Sequence, residues 1–259
     1  MTHPSLIQAH LEGYHTSGEN FRTASQSEVY RYQKLSKPDL FLKISHSTTD
    51  APLINEKNAM NWLLAKLPVP HVVAYCKVQT TEYLLTTSIP GLSSESHALS
   101  TEKKPLVQIL AEGLRTIHNI SIANCPLPVF TAQSLLKTAH QNVTSGHITA
   151  QTLAERKDPR TPEQALTEIH ALKPDGEDLV FTHGDYCLPN VMIDNNALSG
   201  FIDWGSAGIG DRHRDFVSAQ YSIRRNLGAE WIDPFFDHYD RKFLNIKTLQ
   251  FYNAIYNLT

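Results

Sequence analysis

The chain has 259 residues, of which 41% are hydrophobic and 19% charged, an ordinary composition for a globular protein with a substantial core. Its formal net charge is −3 and no stripe of Lys and Arg stands out, which argues against a nucleic-acid partner. No apolar run reaches the roughly 18 residues of a membrane-spanning helix, and no secretory signal is visible, so we expect a cytoplasmic protein without a membrane partner.

The first third of the chain is rich in strand patterns, and one helix interrupts them from about residue 52 to residue 67. The apolar residues of this helix recur at helical spacing. Pro52 suits its first turn, and Pro68 cannot continue it. The predicted strands are Val29–Tyr32, Asp39–Ile44, His71–Tyr75 and Tyr83–Ser88. These elements predict a small β-rich lobe over residues 1–90.

After Ile89-Pro-Gly91 the pattern becomes mainly helical. The segment 140–157 is polar and weakly patterned, which leaves open a loop or a mobile helix. Helices are predicted at about 104–120, 161–172, 215–227, 230–239 and 247–256. The sequence therefore predicts an α+β fold with two lobes, the second being larger, mainly helical and covering residues 91–259.

The clearest functional pattern is the segment 181–190, which reads FTHGDYCLPN, followed by FIDWG at 201–205. It carries Asp185, Asn190 and Asp203 in order, bracketed by short predicted strands. In phosphoryl transfer, one carboxylate accepts the proton of the acceptor hydroxyl, while an amide oxygen and a second carboxylate hold magnesium on the phosphates. The same residue types also cap turns in a plain β-hairpin. The three together favour the catalytic interpretation.

A charged pair is predicted in the first lobe. Glu56 falls on the apolar face of its helix, where an ionised carboxylate needs a partner, and Lys43 is the cation of an apolar strand. A strand lysine held by a helix glutamate is a recurring kinase device for binding nucleotide phosphates. A purely structural ion pair is the alternative. The segment around Ser25 has no glycine-rich fingerprint, although its backbone amides could still bind phosphate oxygens.

With these residues in order, the chain resembles the aminoglycoside O-phosphotransferases, and most of all the 3′-phosphotransferases, which share the two-lobed fold of protein kinases. The resemblance runs from about residue 20 to residue 240 and is dense at 174–190 and 198–203. It implies Mg²⁺-dependent phosphoryl transfer from ATP or GTP to a hydroxyl of an aminoglycoside antibiotic. The 3′-hydroxyl of kanamycin-like drugs is the expected target, the consequence is resistance, and the expected state is a monomer or weak dimer.

The resemblance also implies roles for individual residues. Asp185 would be the catalytic base, Asn190 and Asp203 would be the magnesium ligands, and Asp215 would brace the catalytic loop from a buried position.

The nucleotide would be bound by the first lobe. Lys43 would contact its phosphates and Glu56 would orient that lysine. Phe41 would stack on the adenine, and the backbone near Ser88 and Ile89 would bond its edge.

The acceptor side departs from the family pattern. Ser206 stands where the Asp-x-Gly-Arg pattern has an arginine. Residues 254–259 have neither a carboxylate side chain nor a terminal phenylalanine, whereas the family typically has an acidic and aromatic tail that holds a drug amine. We expect the ammonium groups of an aminoglycoside to meet Asp185, Glu155 and the terminal carboxylate of Thr259, with Arg225 opposing them. A kinase that acts on a different hydroxyl-bearing antibiotic or metabolite is therefore the main alternative.

Two further classes agree less well with the sequence. A metallophosphoesterase would need additional histidine-bearing metal motifs, and none of the 13 histidines lies in one. A pseudokinase that only binds its ligand would normally lack one of Lys43, Asp185, Asn190 or Asp203, and all four are present.

Overall fold

The computed structural model describes residues 3–18, 27–46, 52–98 and 102–259. Contacts divide the chain into two compact units, the first made of residues 1–99 and 189–207 and the second of residues 100–188 and 208–259. The boundary near residue 90 between two lobes stays a prediction.

The described strands are, in chain order, β1 (Glu28–Tyr32), β2 (Leu40–Ser45), β3 (Val72–Val78), β4 (Thr81–Thr87), β5 (Leu92–Ser93), β6 (Val129–Phe130), β7 (Leu179–Thr182), β8 (Val191–Asp194), β9 (Ala197–Phe201) and β10 (Gly208–Asp211). The described α-helices are α1 (Ser5–His10), α2 (Leu53–Leu63), α3 (Ser94–His97), α4 (Lys103–His118), α5 (Ala132–Thr144), α6 (Ala150–Glu155), α7 (Pro162–Leu172), α8 (His213–Asn226), α9 (Ile232–Tyr239) and α10 (Ile246–Tyr256).

The first unit contains an antiparallel sheet in the order β1-β2-β4-β3. Side chains alternate between the two faces of a strand, and in β2 Leu40, Leu42 and Ile44 are buried in one cluster with Ile7 of α1. Phe41 and Lys43 therefore lie on the other face, where both are only half-buried. The predicted strands and the predicted helix at 52–67 are confirmed, although α2 ends earlier, at Leu63.

A second, three-stranded sheet of this unit has the order β5-β8-β9. Its β8–β9 hairpin turns at Asn195 and Asn196, whose φ angles are both positive, at 49° and 60°. Asparagine tolerates this conformation, which the two-residue turns of twisted hairpins require. The sequence Asp194-Asn-Asn196 predicts such a turn, and the structure confirms it. Gly91 is required before β5, because a Cβ there would lie 2.1 Å from the carbonyl oxygen of Ile193.

The second unit is mainly helical, and its small sheet has the order β6-β10-β7. Long helix α4 packs against α9, while α10 packs against α7 and α8. The predicted helices are confirmed with ends shifted by a few residues. The segment 140–157 is neither a plain loop nor one helix, since α5 extends into it as far as Thr144 and α6 lies within it. The side chains and backbones of Thr149 and Thr152 form a reciprocal capping box that starts α6.

Candidate active site

The face of β2 that carries Lys43 holds a compact cluster of charges within the first unit. Lys43 Nζ lies 2.9 Å from Glu56 Oε2 and 3.0 Å from Asp203 Oδ1. Helix α2 places Glu56 on its buried side together with Leu53 and Met60. The predicted pairing of Lys43 with Glu56 is confirmed, and Asp203 is a second partner.

The cluster contains one cation and two carboxylates, so its formal charge is negative. Burial lowers the pKa of Lys43, but the charges and hydrogen bonds of Glu56 and Asp203 outweigh burial and raise that pKa above its ordinary value. The lysine is thus fully charged at neutral pH. A fixed cation beside a carboxylate that is itself about one-third exposed is suited to receive a phosphate group together with a divalent metal ion.

Asp203 and Asn190 lie at neighbouring positions of the β8–β9 hairpin. Strand register pairs Val191 with Phe201, and the amide of Ile202 donates to the carbonyl oxygen of Asn190 at 3.0 Å. Asp203 has a φ angle of +62°, an uncommon conformation for a non-glycine residue. Local strain of this kind concentrates at functional sites.

The donors of this hairpin fit Mg²⁺. A carboxylate oxygen of Asp203 and an amide oxygen of Asn190 are hard ligands, and Mg²⁺ is usually bound in nucleotide sites through one or two carboxylates plus substrate phosphates. The position after Trp204 is glycine, and a Cβ at Gly205 would lie in ordinary van der Waals contact with both carboxylates, 3.9 Å from Asp203 Oδ1 and 4.0 Å from Glu56 Oε2. The glycine leaves space beside both carboxylates.

The other residues predicted to bind nucleotide are placed as follows. Phe41 lies on the same face of β2 as Lys43, two residues away. The amide of Ser88 donates to the carbonyl oxygen of Asp39 at 2.8 Å, so this amide is already engaged within the protein. Ile89 follows Ser88 and is half-buried. Ser25 lies outside the described residues.

In the second unit, Asp185 follows the end of β7 in a loop that is held by its backbone. The buried carboxylate of Asp215 accepts hydrogen bonds from the amides of His183, at 2.8 Å, and Gly184, at 2.7 Å. Gly184 has a φ angle of +85°, which favours glycine at this bend. The predicted bracing by Asp215 is confirmed. His183 Nδ1 in turn accepts from the amide of Asp185 at 3.3 Å.

Sequence reasoning missed the buried network behind Asp215. His118 Nε2 lies 3.1 Å from Asp215 Oδ2, and His118 Nδ1 lies 2.7 Å from the hydroxyl of Tyr239. That hydroxyl also accepts from Arg212 Nη1 at 2.5 Å, and Arg212 Nε donates to Asp178 at 2.5 Å. The available signal was a histidine at the C-terminal end of the amphipathic helix α4.

The network has a defined charge state at neutral pH. Burial lowers the pKa of His118, although Asp215 acts in the opposite direction. Burial raises the pKa of Asp215, but the bond from His118 and neighbouring positive charges outweigh it and lower that pKa overall. A neutral His118 therefore donates from Nε2 to an ionised Asp215 and accepts from the hydroxyl of Tyr239.

The other predicted acceptor residues are exposed and lie in different parts of the second unit. Glu155 ends α6 and accepts from Gln151 at 3.1 Å, and Arg225 lies near the end of α8. Thr259 follows a segment tied to the helices before it. The carbonyl of Leu258 accepts from Asn142 at 2.9 Å, and that of Asn257 accepts from Arg156 at 2.8 Å.

The sheet that carries Lys43 and the mainly helical second unit define a kinase-like phosphotransferase. The model of the phosphotransferase enzyme family matches residues 21–251, and this chain belongs to that family. A relative from Niallia circulans, named aminoglycoside 3′-phosphotransferase, is 36% identical over 206 residues, which are 80% of this chain and 78% of the relative.

Solved structures agree on the fold. A type VIII aminoglycoside 3′-phosphotransferase has a TM-score of 0.79 at 24% identity and covers 99% of this chain and 100% of its own. An aminoglycoside phosphotransferase from Streptomyces rimosus, in complex with ADP and streptomycin, has a TM-score of 0.77 at 20% identity, with coverage of 98% and 96%. The predicted α+β, protein-kinase-like fold is confirmed. Across the part of the chain that the structure describes, no helix is long and apolar enough to cross a membrane.

Proposed function

We propose that this protein transfers the γ-phosphoryl group of a nucleoside triphosphate to a hydroxyl of an aminoglycoside, with the 3′-hydroxyl of kanamycin-like drugs as the target. The main observation behind the proposal is the Lys43–Glu56–Asp203 cluster. In it, the cation expected to bind phosphate is in contact with a carboxylate expected to bind the metal ion. The name of the 36% identical relative supports the acceptor class.

Within this proposal, the first unit holds the donor nucleotide. Lys43 binds phosphate oxygens and Glu56 keeps its ammonium in place. Asp203 and Asn190 would hold Mg²⁺, which when bound neutralises charge on the phosphates. Phe41 would stack on the base, and the carbonyl of Ser88 and the backbone of Ile89 would bond its edge.

Asp185 would serve the acceptor hydroxyl. Its carboxylate accepts or orients the proton of that hydroxyl while oxygen attacks the γ-phosphorus. Because Asp215 holds the two preceding amides, the backbone that carries Asp185 is fixed before substrate binds. Fixed geometry of this kind lowers the entropic cost of bringing the reactants together.

Acceptor recognition would rest on charge. The ammonium groups of an aminoglycoside would meet Asp185, Glu155 and Thr259, and Arg225 would oppose them. Acidic groups are few among these residues. The alternative is an enzyme of the same fold that acts on another hydroxyl-bearing acceptor, and the test below includes such acceptors. A cytoplasmic location and the absence of a nucleic-acid partner stay predictions.

The test is a nucleotide-consumption screen of the purified protein with ATP and with GTP in the presence of Mg²⁺. Acceptors are kanamycin-like aminoglycosides, a matched drug that lacks the 3′-hydroxyl, macrolides, choline and sugars. We expect consumption with the first group and none with the 3′-deoxy drug. Consumption with macrolides, choline or sugars alone would replace the aminoglycoside proposal by its alternative.

A further inference from the structure

Arg214 lies in the first turn of α8, beside Asp215, and the functions proposed above give it no part. The carbon atom of its guanidinium lies 4.2 Å from the centre of the Phe130 ring, and its Nη1 donates to Thr182 Oγ1 at 3.2 Å. A planar cation on an aromatic face is favourable, more so when it is partly removed from water. The ring and the hydroxyl together fix both the plane and the direction of this guanidinium.

The support for Arg214 is built into the small sheet of the second unit. Gly208 pairs with Thr182 across the β7–β10 ladder, and the hydroxyl of Thr182 donates to the carbonyl of Gly208 at 3.0 Å. A Cβ at position 208 would lie 2.7 Å from the ring of Phe130. Glycine therefore allows Phe130 to lie close to the sheet and to serve as a platform for the cation.

This platform lies next to the segment that carries Asp185. Thr182 is the last residue of β7, and Asp185 follows it by three positions. Asp215 holds the two amides between them, so Arg214 and Asp215, adjacent in the chain, contact successive residues of one loop.

Asp185 also belongs to the electrostatic surroundings of Arg214. Burial lowers the pKa of Arg214, while the carboxylates of Asp215 and Asp185 act to raise it. Arginine stays protonated in proteins under all ordinary conditions. A permanent positive charge is thus within interaction range of the Asp185 carboxylate.

We propose that Arg214 is a positioning residue for Asp185, holding its carboxylate oriented toward the acceptor hydroxyl. The inference rests on the function proposed for Asp185. Position 206, where the Asp-x-Gly-Arg pattern has an arginine, is serine in this chain. Arg214 supplies a positive charge from α8 rather than from position 206.

The experiment compares three full-length variants on the acceptor that the wild type uses best. Arg214→Gln removes the charge, and Arg214→Lys keeps it without the planar fork. Arg224→Gln is the matched control, since it removes a charge from an exposed position of the same helix. The turnover number is expressed per ATP-binding site, counted by calorimetric titration with a non-hydrolysable ATP analogue.

We expect kcat of Arg214→Gln to fall at least about tenfold below that of Arg224→Gln, because a misplaced reacting group can cost up to about 10²-fold. Arg214→Lys should lie between them, and the KM for ATP should stay within about twofold, since the nucleotide is bound elsewhere. A kcat of Arg214→Gln within tenfold of the control, or a loss confined to the KM for ATP, would overturn the proposal.

A second measurement protects the test against a folding defect. Arg214→Ala is assayed with added guanidinium at concentrations below those that unfold the wild type. Recovery of kcat in Arg214→Ala but not in Asp185→Ala supports the positioning role, and no recovery in either contradicts it. A wild type that phosphorylates no aminoglycoside would refute the proposed acceptor. The kcat of Arg214→Gln relative to Arg224→Gln, measured on the acceptor that the wild type uses best, would still decide the role of Arg214.

Discussion

The two units differ in how closely the residues of each follow the pattern of the phosphotransferase family to which the chain belongs. In the first unit the charged residues expected for binding a nucleotide are present, and Lys43, Glu56 and Asp203 are in contact. In the second unit the loop of Asp185 is equally well held, but the residues expected to meet the acceptor include fewer carboxylates and more arginine than the family pattern has. Phosphoryl transfer always requires that phosphates and a divalent cation be bound, whereas the acceptor can differ from one enzyme to another. We infer that the demands of phosphoryl transfer constrain the residues expected to bind the nucleotide and leave those expected to bind the acceptor free to change.

The assignment of a catalytic role to the loop of the second unit would fail if Asp185 could be replaced without loss of activity. We expect Asp185→Ala to lower kcat by about 10²–10⁴-fold while nucleotide affinity stays nearly unchanged, since the carboxylate acts on the acceptor hydroxyl. Steady-state kinetics and calorimetric titration with a non-hydrolysable ATP analogue measure the two effects. A variant that keeps most of its activity on the best acceptor would remove Asp185 from the reaction.

The metal ligands can be distinguished by magnesium titration. Asp203→Ala and Asn190→Ala should both lose activity, but raised magnesium should restore Asn190→Ala in part and Asp203→Ala hardly at all. A neutral amide contributes less electrostatically to a divalent cation than a carboxylate does. Activity is measured across magnesium concentrations at fixed ionic strength. Equal losses that do not respond to magnesium would contradict a metal role for both residues.

The buried network of the second unit can be tested with two matched variants. Tyr239→Phe removes one hydroxyl, so that His118 Nδ1 and Arg212 Nη1 lose the partner they share, which should lower the free energy of unfolding by about 1–3 kcal/mol. Hydrogen exchange of the His183 and Gly184 amides should accelerate. Urea denaturation and exchange mass spectrometry measure the two effects, and unchanged values would show that the network does not hold the loop.

His118→Gln can keep a donor toward Asp215 and an acceptor toward Tyr239, yet it does not titrate. In the wild type, burial gives His118 a lower pKa in the folded chain than in the unfolded chain. The unfolded chain therefore binds the extra proton first, and stability falls as pH decreases below the ordinary histidine value of about 6.5. The free energy of unfolding should fall less steeply between pH 8 and pH 5 in His118→Gln. An equal slope would mean that the pKa of His118 is the same in the folded and the unfolded chain.

The smallest expected effect concerns acceptor charge. Arg225→Glu should lower the KM for kanamycin-like drugs several-fold and make it more sensitive to salt, because a like charge weakens the binding of a cation, by about 1–4 kcal/mol at close range before screening. Turnover should change little, since ground state and transition state are affected alike. An unchanged or higher KM would place Arg225 outside the acceptor site.

The α+β organisation, the two asparagines of the β8–β9 turn, the pairing of Lys43 with Glu56 and the bracing by Asp215 could all be predicted from the sequence. Each of these features depends on a local sequence pattern or on the cost of burying a charge without a partner. Local patterns and charges at apolar positions can both be recognised from the order of residues in the chain. The helix α6 was not predicted with certainty, because its capping box uses two threonines in place of the commoner threonine and glutamate.

Local patterns along the chain are sufficient to predict most elements, the order of the charged residues and the chemistry that they can support. Tertiary packing brings Asp203 to Lys43 as a second partner, places His118 and Tyr239 behind Asp215, and lays Arg214 on Phe130. These contacts join residues that are distant in the chain and belong to different elements. The identity of a residue states which partner it requires, but the packing of strands and helices decides which of the available partners is within reach.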